Sequence, residues 1–293
     1  VRIVFALPRY LYGSYVDYRK LVELSGYERC FFDEMDLSKS DTVYIVSPAN
    51  LDLWRALTGS GTKKPSSKVI WWNLEDQWLP TKPIWELQTT ETHASTESVL
   101  SMPGVEAAWC SNRTLPAQDR RYLFVPLGSD PRLADSARGA RKWDLCHMSY
   151  VWGRRGPLHD LLSQRFRVAP PAFGADRDQA LSTSAAMWIV HQNERRVLME
   201  PQRFAFAAAY RLPVFTETID DDPGVLPSPY PFERGSDYMS FDYRSPGEAA
   251  EVIAGWLATP GRLQKLGERL HNRLAMEFNF RACVVASVWR TFP

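Results

Sequence analysis

The sequence predicts an α/β protein of two doubly wound halves, each a parallel sheet covered by helices. Three observations carry that expectation. Short, continuous apolar runs alternate with helical stretches along the chain, the pattern of strands buried on both faces. A polar, aperiodic stretch, "GSDPRLADSARGARK" at 128–142, interrupts the pattern near the middle and reads as a linker. The 293 residues leave room for two modest domains.

In chain order, the first half opens with the apolar run Ile3 to Leu7, which stops at Pro8, and a helical stretch follows over about Tyr15 to Leu24. "RCFF", "TVYIVS", "KVIWWNL", "VEAAWCS" and "RYLFVPLG" are the further strands, each bounded by turn residues or a helical segment. The second half starts at "WDLCHMSYV". It continues with the turn and helix "GRRGPLHDLLSQRF", the short strand "FRVAPP", the helix "RDQALSTS" and the strand "AMWIVHQ". A helix over "MEPQRFAFAAAYR" then runs into the strand "LPVFTE". Helical segments fill about 246–258, 260–277 and 280–290. The resulting division is 1–135, 136–278 and a last helical segment, 279–293, expected to pack back on the first half. In open sheets of this kind ligands sit beyond the carboxyl ends of the strands, so the loops after the strands hold the candidate residues.

Composition excludes several classes. With 45% hydrophobic and 24% charged residues the chain is ordinary for a globular protein, and a net charge of +1 supplies no global field for nucleic acid or an acidic membrane. A local basic cleft stays open. Cys30, Cys110, Cys146 and Cys283 are far apart and form no C-x-x-C pair, and the five His show no ligand spacing. The cysteines therefore read as reduced residues of a cytoplasmic protein, with no disulfide frame or zinc site. No apolar run approaches about 18 residues, so no membrane span is expected, and "VRIVFALP" is too short and strand-like for a signal peptide. Most of the eleven Trp are expected in the core, with some lining a ligand groove.

Four loops carry chemistry. In "MEPQRFAFAAAYRLPVF", Pro201 fits a first helical turn, and small Ala residues let the helix approach a sheet closely. Arg203 stands in that first turn, where a cation opposes the helix dipole by roughly 0.3–1 kcal/mol. An anion shared between Arg203 and the free N–H groups offsets that cost; an ion pair from Arg203 to Glu200 or a nearby Asp is the structural alternative. In "VWGRRGPL", Gly153 and Gly156 permit a tight turn, and Arg154 and Arg155 set two permanent charges at a helix start. Guanidinium groups suit bidentate phosphate contact; a solvated basic turn is the alternative. In "VIWWNLEDQW", Glu75 and Asp76 follow a buried strand, as a base for an acceptor hydroxyl would, or as a helix cap or loop ion pair. His93, in "TETHAST", is a rival base. In "TIDDDPG", Asp220 and Asp222 have the D-x-D form that holds a metal–diphosphate, although a short acidic loop is commonplace.

The second half, through "PQRFAFAAAYRLPVFTE" and "FERGSDYMSFDYRSPGEAAEVIAGWLATPGRLQKLGERLHNRL", resembles the end of GT-B glycosyltransferases, and within them the spore-maturation-like group related to family 4. "VIWWNLEDQW" and "FVPLGSDP" resemble first-domain and interdomain segments of that group. The resemblance implies a GT-B fold of two Rossmann-like domains facing across a cleft: 1–135 for the acceptor and 136–278 for a nucleotide-sugar donor. Arg203 would match the donor-side Arg, Gly153, Arg154 and Arg155 the glycine–basic turn near the donor phosphates, and Asp76 the acidic residue near the acceptor. Glu200 and His191, at the end of "AMWIVHQ", join the donor-side group. The chain departs from the family-4 pattern, which has a Glu-x7-Glu pair, in three places, the first being that Glu200 is followed eight residues later by Ala208 and not Glu. Phe206 falls where a ribose-holding Glu is usual, and Arg211 replaces the usual Gly.

The activity implied is transfer of a sugar from a nucleoside diphosphate sugar, such as a UDP-sugar, to a hydroxyl. The leaving diphosphate would be stabilised by arginines and helix N-termini without a metal or other cofactor. If the configuration inverts, Asp76, Glu75 or His93 supplies the base. Among acceptors, a hydroxymethylated DNA base of a phage-type modification pathway is compatible with an Arg- and Trp-rich chain; protein, glycan and small-molecule acceptors stay open. The alternative is a non-catalytic nucleotide-sugar-binding or assembly protein that retains the fold, favoured by Phe206 and Arg211.

Overall fold

A computed structural model describes residues 1–9, 16–59, 65–74, 82–87, 94–134, 138–172, 174–192, 198–219 and 233–293. The chain divides into two units, Val1–Val125 with Ala286–Pro293, and Pro126–Val285.

In the first unit six strands are described: β1 (Arg2–Leu7), β2 (Glu28–Phe31), β3 (Thr42–Val46), β4 (Lys68–Asn73), β5 (Val105–Cys110) and β6 (Tyr122–Phe124). They form one sheet in the order β2-β1-β3-β4-β5-β6, and every pairing is parallel. Helices α1 (Val16–Leu24), α2 (Leu51–Thr58), α3 (Thr96–Leu100) and α4 (Thr114–Gln118) connect the strands. The apolar runs are continuous because both faces of the sheet are covered. Adjacent residues on β4 point to opposite faces. Trp72 meets Trp109 at a 5.4 Å centroid distance and Tyr18 at 6.2 Å, both edge-on, while Trp71 packs on Tyr122 at 5.8 Å. Both Trp side chains are fully buried, so they fill core and line no groove. Residues 286–293 belong to this unit: the Trp109 indole N–H donates to Thr291 at 2.9 Å, Arg290 donates to the Phe124 carbonyl, and Lys68 lies over the Phe292 ring.

In the second unit β7 (Trp143–Cys146), β8 (Ser184–Ile189), β9 (Val214–Glu217) and β10 (Met239–Phe241) form a sheet in the order β10-β9-β8-β7, again parallel at each pairing. Helices α5 (Arg155–Arg165), α6 (Gly174–Ser182) and α7 (Pro201–Ala209) follow strands or precede them, and α8 (Pro246–Leu257) packs with α5 over a core holding Leu145, Trp188, Phe215 and Ile253. Helix α9 (Pro260–Leu270) runs into a π-helical segment, His271–Glu277, before α10 (Phe280–Thr291). No disulfide joins the four cysteines; Cys110, Cys146 and Cys283 are buried and Cys30 half-buried.

Three details differ from the sequence reading. "FRVAPP" contributes one bridge, Val168 to Leu145, and no strand. Strand β10 arises from "MSF", too short to stand out of its polar surroundings. The stretch 128–142 is not wholly a linker: Ser129, Asp130 and Leu133 are buried. Gly128 explains this, since its φ of +69° and its closeness to Phe278 exclude a side chain; a Cβ there would stand 2.3 Å from the Phe278 carbonyl oxygen. Ser129 then exchanges backbone hydrogen bonds with Phe278 and Phe280. Polar composition concealed a packed segment because its polar groups are satisfied by backbone partners.

The end of α7 is a Schellman turn. Leu212 N–H donates to the Ala207 carbonyl at 2.8 Å and Arg211 N–H to that of Ala208 at 3.1 Å, with Arg211 at φ +53°. This is the left-handed conformation a Gly adopts without steric cost. Gly267 of α9 packs against the same turn, where a Cβ would stand 2.2 Å from the Arg211 carbonyl oxygen. Arg211→Gly is expected to stabilise the second unit by about 1 kcal/mol, and Gly267→Ala to cost about 1–3 kcal/mol by forcing α9 off the turn. Chemical denaturation of both variants measures each change.

Candidate functional site

The carboxyl ends of β7, β8 and β9 bring the charged side chains of the second unit together. After β7 the chain turns at Gly153, whose φ of +61° no other residue type adopts freely, and whose missing side chain lets it lie against the Gln192 carbonyl. That turn starts α5 with Arg154 and Arg155. After β8 come His191 and then Glu200, the residue preceding Pro201 at the start of α7. Strand β9 ends in Glu217.

Arg154 Nη2 donates to Glu217 Oε2 at 2.7 Å, and its guanidinium lies 3.9 Å from the Tyr243 ring centre. The Tyr243 hydroxyl donates to the Arg154 carbonyl at 2.6 Å. Arg155 Nε donates to the Val190 carbonyl at 2.6 Å and Nη1 to Ser149 Oγ at 2.7 Å; its Nη2 lies 3.5 Å from Glu200. Arg203 Nε reaches Glu200 Oε2 at 2.6 Å. The His191 backbone N–H and ring both address Glu217, and its Nε2 lies 3.5 Å from Glu200. The ion-pair alternative for Arg203 is thus realised, on Glu200. Because that carboxylate is turned to the arginines, it makes no capping bond to α7.

Arg155 and Glu217 are buried and the other three partly so: side-chain exposure is 12% for Arg154, 7% for Arg155, 12% for Arg203, 16% for Glu200 and 2% for Glu217. Three guanidinium groups therefore face two carboxylates, leaving one positive charge in surplus away from bulk water. Burial pushes Arg155 down to about 10, helped by the like charge of Arg203 and opposed by Glu200 and Glu217. Burial pushes the Glu217 carboxyl up, but hydrogen bonds from His191 and the charge of Arg154 outweigh it, and the net shift is downward.

His147, one residue beyond β7, completes the cluster. Its ring stacks on Trp188 at 4.2 Å, and Nδ1 lies 2.8 Å from the Trp188 carbonyl oxygen. A carbonyl only accepts, so Nδ1 carries the proton. Burial, and then the charge of Arg203, hold His147 well below the usual histidine range. The ring is neutral and Nε2 is an acceptor. His147 Nε2 and Arg203 Nη1 are among the buried atoms here that have no hydrogen-bond partner among the described residues. One accepts and one donates, so a ligand carrying both hydroxyl and anionic oxygen atoms would satisfy them.

Gly153, Arg154, Arg155, His191, Glu200 and Arg203 are therefore gathered by the second unit. Glu75, Asp76 and His93 lie outside the described residues, as do Asp220 and Asp222. Among the described residues no three His, Cys, Asp or Glu are placed to hold a metal ion. Sequence reasoning missed Glu217, His147 and Tyr243. The first two stood at or just after the ends of apolar strands, the signal that singled out Glu75. Phe206 is buried, with Arg177 4.7 Å from its ring centre, and offers no polar group to a ligand.

No protein-family model and no curated protein matches the sequence. Solved structures do match. Anabaena Alr3699/HepE in complex with UDP aligns over 100% of both chains at 10% identity and a TM-score of 0.62. An alpha-glucosyltransferase in complex with UDP and a 13-mer DNA aligns over 100% of this chain and 99% of its own at 9% identity and a TM-score of 0.60. S. aureus TarM, also with UDP, aligns at 8% identity and a TM-score of 0.55, covering 87% of this chain. The chain spans just over half the length of the TarM structures it matches, 56% and 55%. What this likeness shows is the fold, an α/β architecture of parallel sheets shared with GT-B glycosyltransferases. Among the described residues no helix is long and apolar enough to cross a membrane.

His147 makes the stability of the second unit depend on pH. Its folded pKa lies below its unfolded value, about 6.5, so its contribution is complete above that value. It is lost as pH falls below 6.5 toward the folded pKa, because the unfolded ring binds the proton first. His147→Asn keeps an N–H for the Trp188 carbonyl but does not titrate. It should flatten the dependence of unfolding free energy on pH between pH 6.5 and 5 by up to about 1.4 kcal/mol per pH unit, measured by urea denaturation.

Proposed function

We propose that the chain is a glycosyltransferase that takes a sugar from a UDP-sugar and passes it to an acceptor hydroxyl, each unit being a Rossmann-like domain. The observation that carries this reading is the largely shielded, net-positive cluster at the carboxyl edge of the second sheet, with its orphaned donor on Arg203 and acceptor on His147. Parallel sheets bind ligands at that edge, and the N-termini of α5 and α7 bring the positive ends of their helix dipoles there. The three UDP-bound structures of the same fold support the choice of nucleotide. The finer placing in the spore-maturation-like, family-4 group rests on the sequence resemblance.

In this scheme the diphosphate lies against Arg203 and the start of α7. Arg154 and Arg155, held by Glu217 and by the Val190 carbonyl, fix the field and need not rearrange as charge develops on the leaving group. His147 Nε2 accepts a hydroxyl of the donor. No metal or other cofactor takes part. Asp76, Glu75 and His93 remain the proposed bases for an inverting reaction.

Arg203→Ala should lower UDP-glucose turnover about 100- to 1,000-fold, the loss typical of one preorganised donor, while circular dichroism stays unchanged. Undiminished turnover in a folded variant would overturn the assignment. The proposed acceptor is a hydroxymethylated base in DNA, supported by the neighbour solved with UDP and DNA. Binding to a hydroxymethylated duplex should then weaken steeply with salt, with a log–log slope near −0.9 for each phosphate contacted. No binding at low salt would remove DNA as acceptor and leave the donor reading intact.

Phe206 favours a second reading, a nucleotide-sugar-binding protein without transferase activity, because it removes the ribose carboxylate of the family-4 pattern. Isothermal titration with UDP, paired with a hydrolysis assay over a panel of nucleotide sugars, separates the two. Binding with neither hydrolysis nor transfer on any acceptor tested would favour the second.

A further inference from the structure

The opposite edge of the second sheet carries a cavity that the proposed reaction does not use. It has a volume of about 500 Å³, and its wall includes Arg138, Arg141 and Arg211, with Glu268 as its one carboxylate. It opens where β8 and β9 begin, at Ala185 and Pro213. Strand β8 runs from there to the arginine cluster at its carboxyl end, roughly 17 Å away at about 3.3 Å per residue. The two places are separate.

The cavity's charges are differently committed. Arg138 is fixed in the wall by donating to the Ser184 carbonyl at 2.7 Å and to the Arg211 carbonyl at 3.3 Å. Arg141 pairs with Asp144 at 2.7 Å, and Glu268 accepts from Gln264 at 2.7 Å. The Arg211 guanidinium makes no hydrogen bond or ion pair to any described residue. Yet Arg211 occupies the left-handed position closing α7, at φ +53°, where a Gly carries no steric cost. Arg211 is solvent-exposed, and its guanidinium, kept at a strained backbone position beside two other arginines, is available to an anion from solution. The apolar part of the wall, including Ala185, Pro213 and Leu263, suits a carbon body.

We propose that this cavity is a second binding site, for a phosphorylated small molecule. Three guanidinium groups stand against Glu268 in the wall and Asp144 beside Arg141, and the surplus of one positive charge draws a phosphate monoester. The volume falls within the range of about 300–1,000 Å³ usual for small-molecule sites. Arg211 supplies the donors not engaged by the protein, and Arg138 and Arg141, held by their own partners, add positive charge beside it.

Phenyl phosphate is the probe, with phenol as its uncharged counterpart, titrated calorimetrically into the protein and three variants. Arg211→Gly removes the strained guanidinium and leaves a residue suited to the turn, so loss of folding does not confound the result. Gln264→Glu adds a negative charge on the exposed side of α9. Both should weaken phenyl phosphate binding at least tenfold, Arg211→Gly with a melting temperature no lower than wild type, and phenol should not bind. Arg203→Gln, at the far edge of the sheet, should leave this binding unchanged. No binding to the wild type, or equal affinity in Arg211→Gly, would overturn the proposal. So would binding that persists in Arg211→Gly and vanishes in Arg203→Gln, since that places the anion in the other cluster.

Discussion

Glu217 is the group on which the second unit's site depends. A carboxylate with 2% exposure at the end of a strand is costly unless its charge is answered in place. It is answered by Arg154 from the turn after β7 and by His191 from the end of β8. One buried charge thereby ties three adjacent strand ends into a fixed arrangement. Removing a partner from such a pair commonly costs about 3–5 kcal/mol, since the remaining charge stays buried. The arginines stand in a field made by two carboxylates, and their surplus of one charge is set before any ligand arrives. That is the condition under which fixed charges stabilise a developing anion without reorganising.

The backbone supports this in two ways. Gly153 lets the turn after β7 fold tightly enough to aim Arg154 and Arg155 back across the sheet. The small residues Ala205, Ala207, Ala208 and Ala209, all buried, bring α7 close to its neighbours, including the π-helical segment, where His271 Nδ1 lies 2.8 Å from the Ala208 carbonyl oxygen. The N-terminus of α7 is thus held at the site and its C-terminus at the Arg211 turn. One helix of nine residues connects the arginine cluster with the cavity at the other edge.

Some of this was legible in the chain and some was not, for reasons visible in particular residues. "KVIWWNL" announces a strand buried on both faces, and β4 is one. "MSF" does not announce β10, because three residues make no period. "GSDPRL" reads as solvent-exposed, yet Ser129 and Asp130 are buried with their polar groups bonded to neighbours. Arg154, Arg155 and Arg203 were evident as cations at helix starts. Their partner Glu217 was not, being the last letter of an apolar strand.

By itself, the sequence determined the alternation of strand and helix, the parallel character of both sheets and the loops where charge accumulates. These are local properties, fixed by hydrophobic periodicity and by Gly and Pro. Only the tertiary structure decided that Arg203 answers Glu200, that Arg154 answers Glu217, and that His147 is neutral with a free acceptor. Such outcomes depend on which strand ends lie side by side and on how much water is excluded. Residues 63 apart in the chain, Arg154 and Glu217, carry no sequence signal of their meeting. Desolvation, which sets the charge state of His147, exists only once the chain has packed.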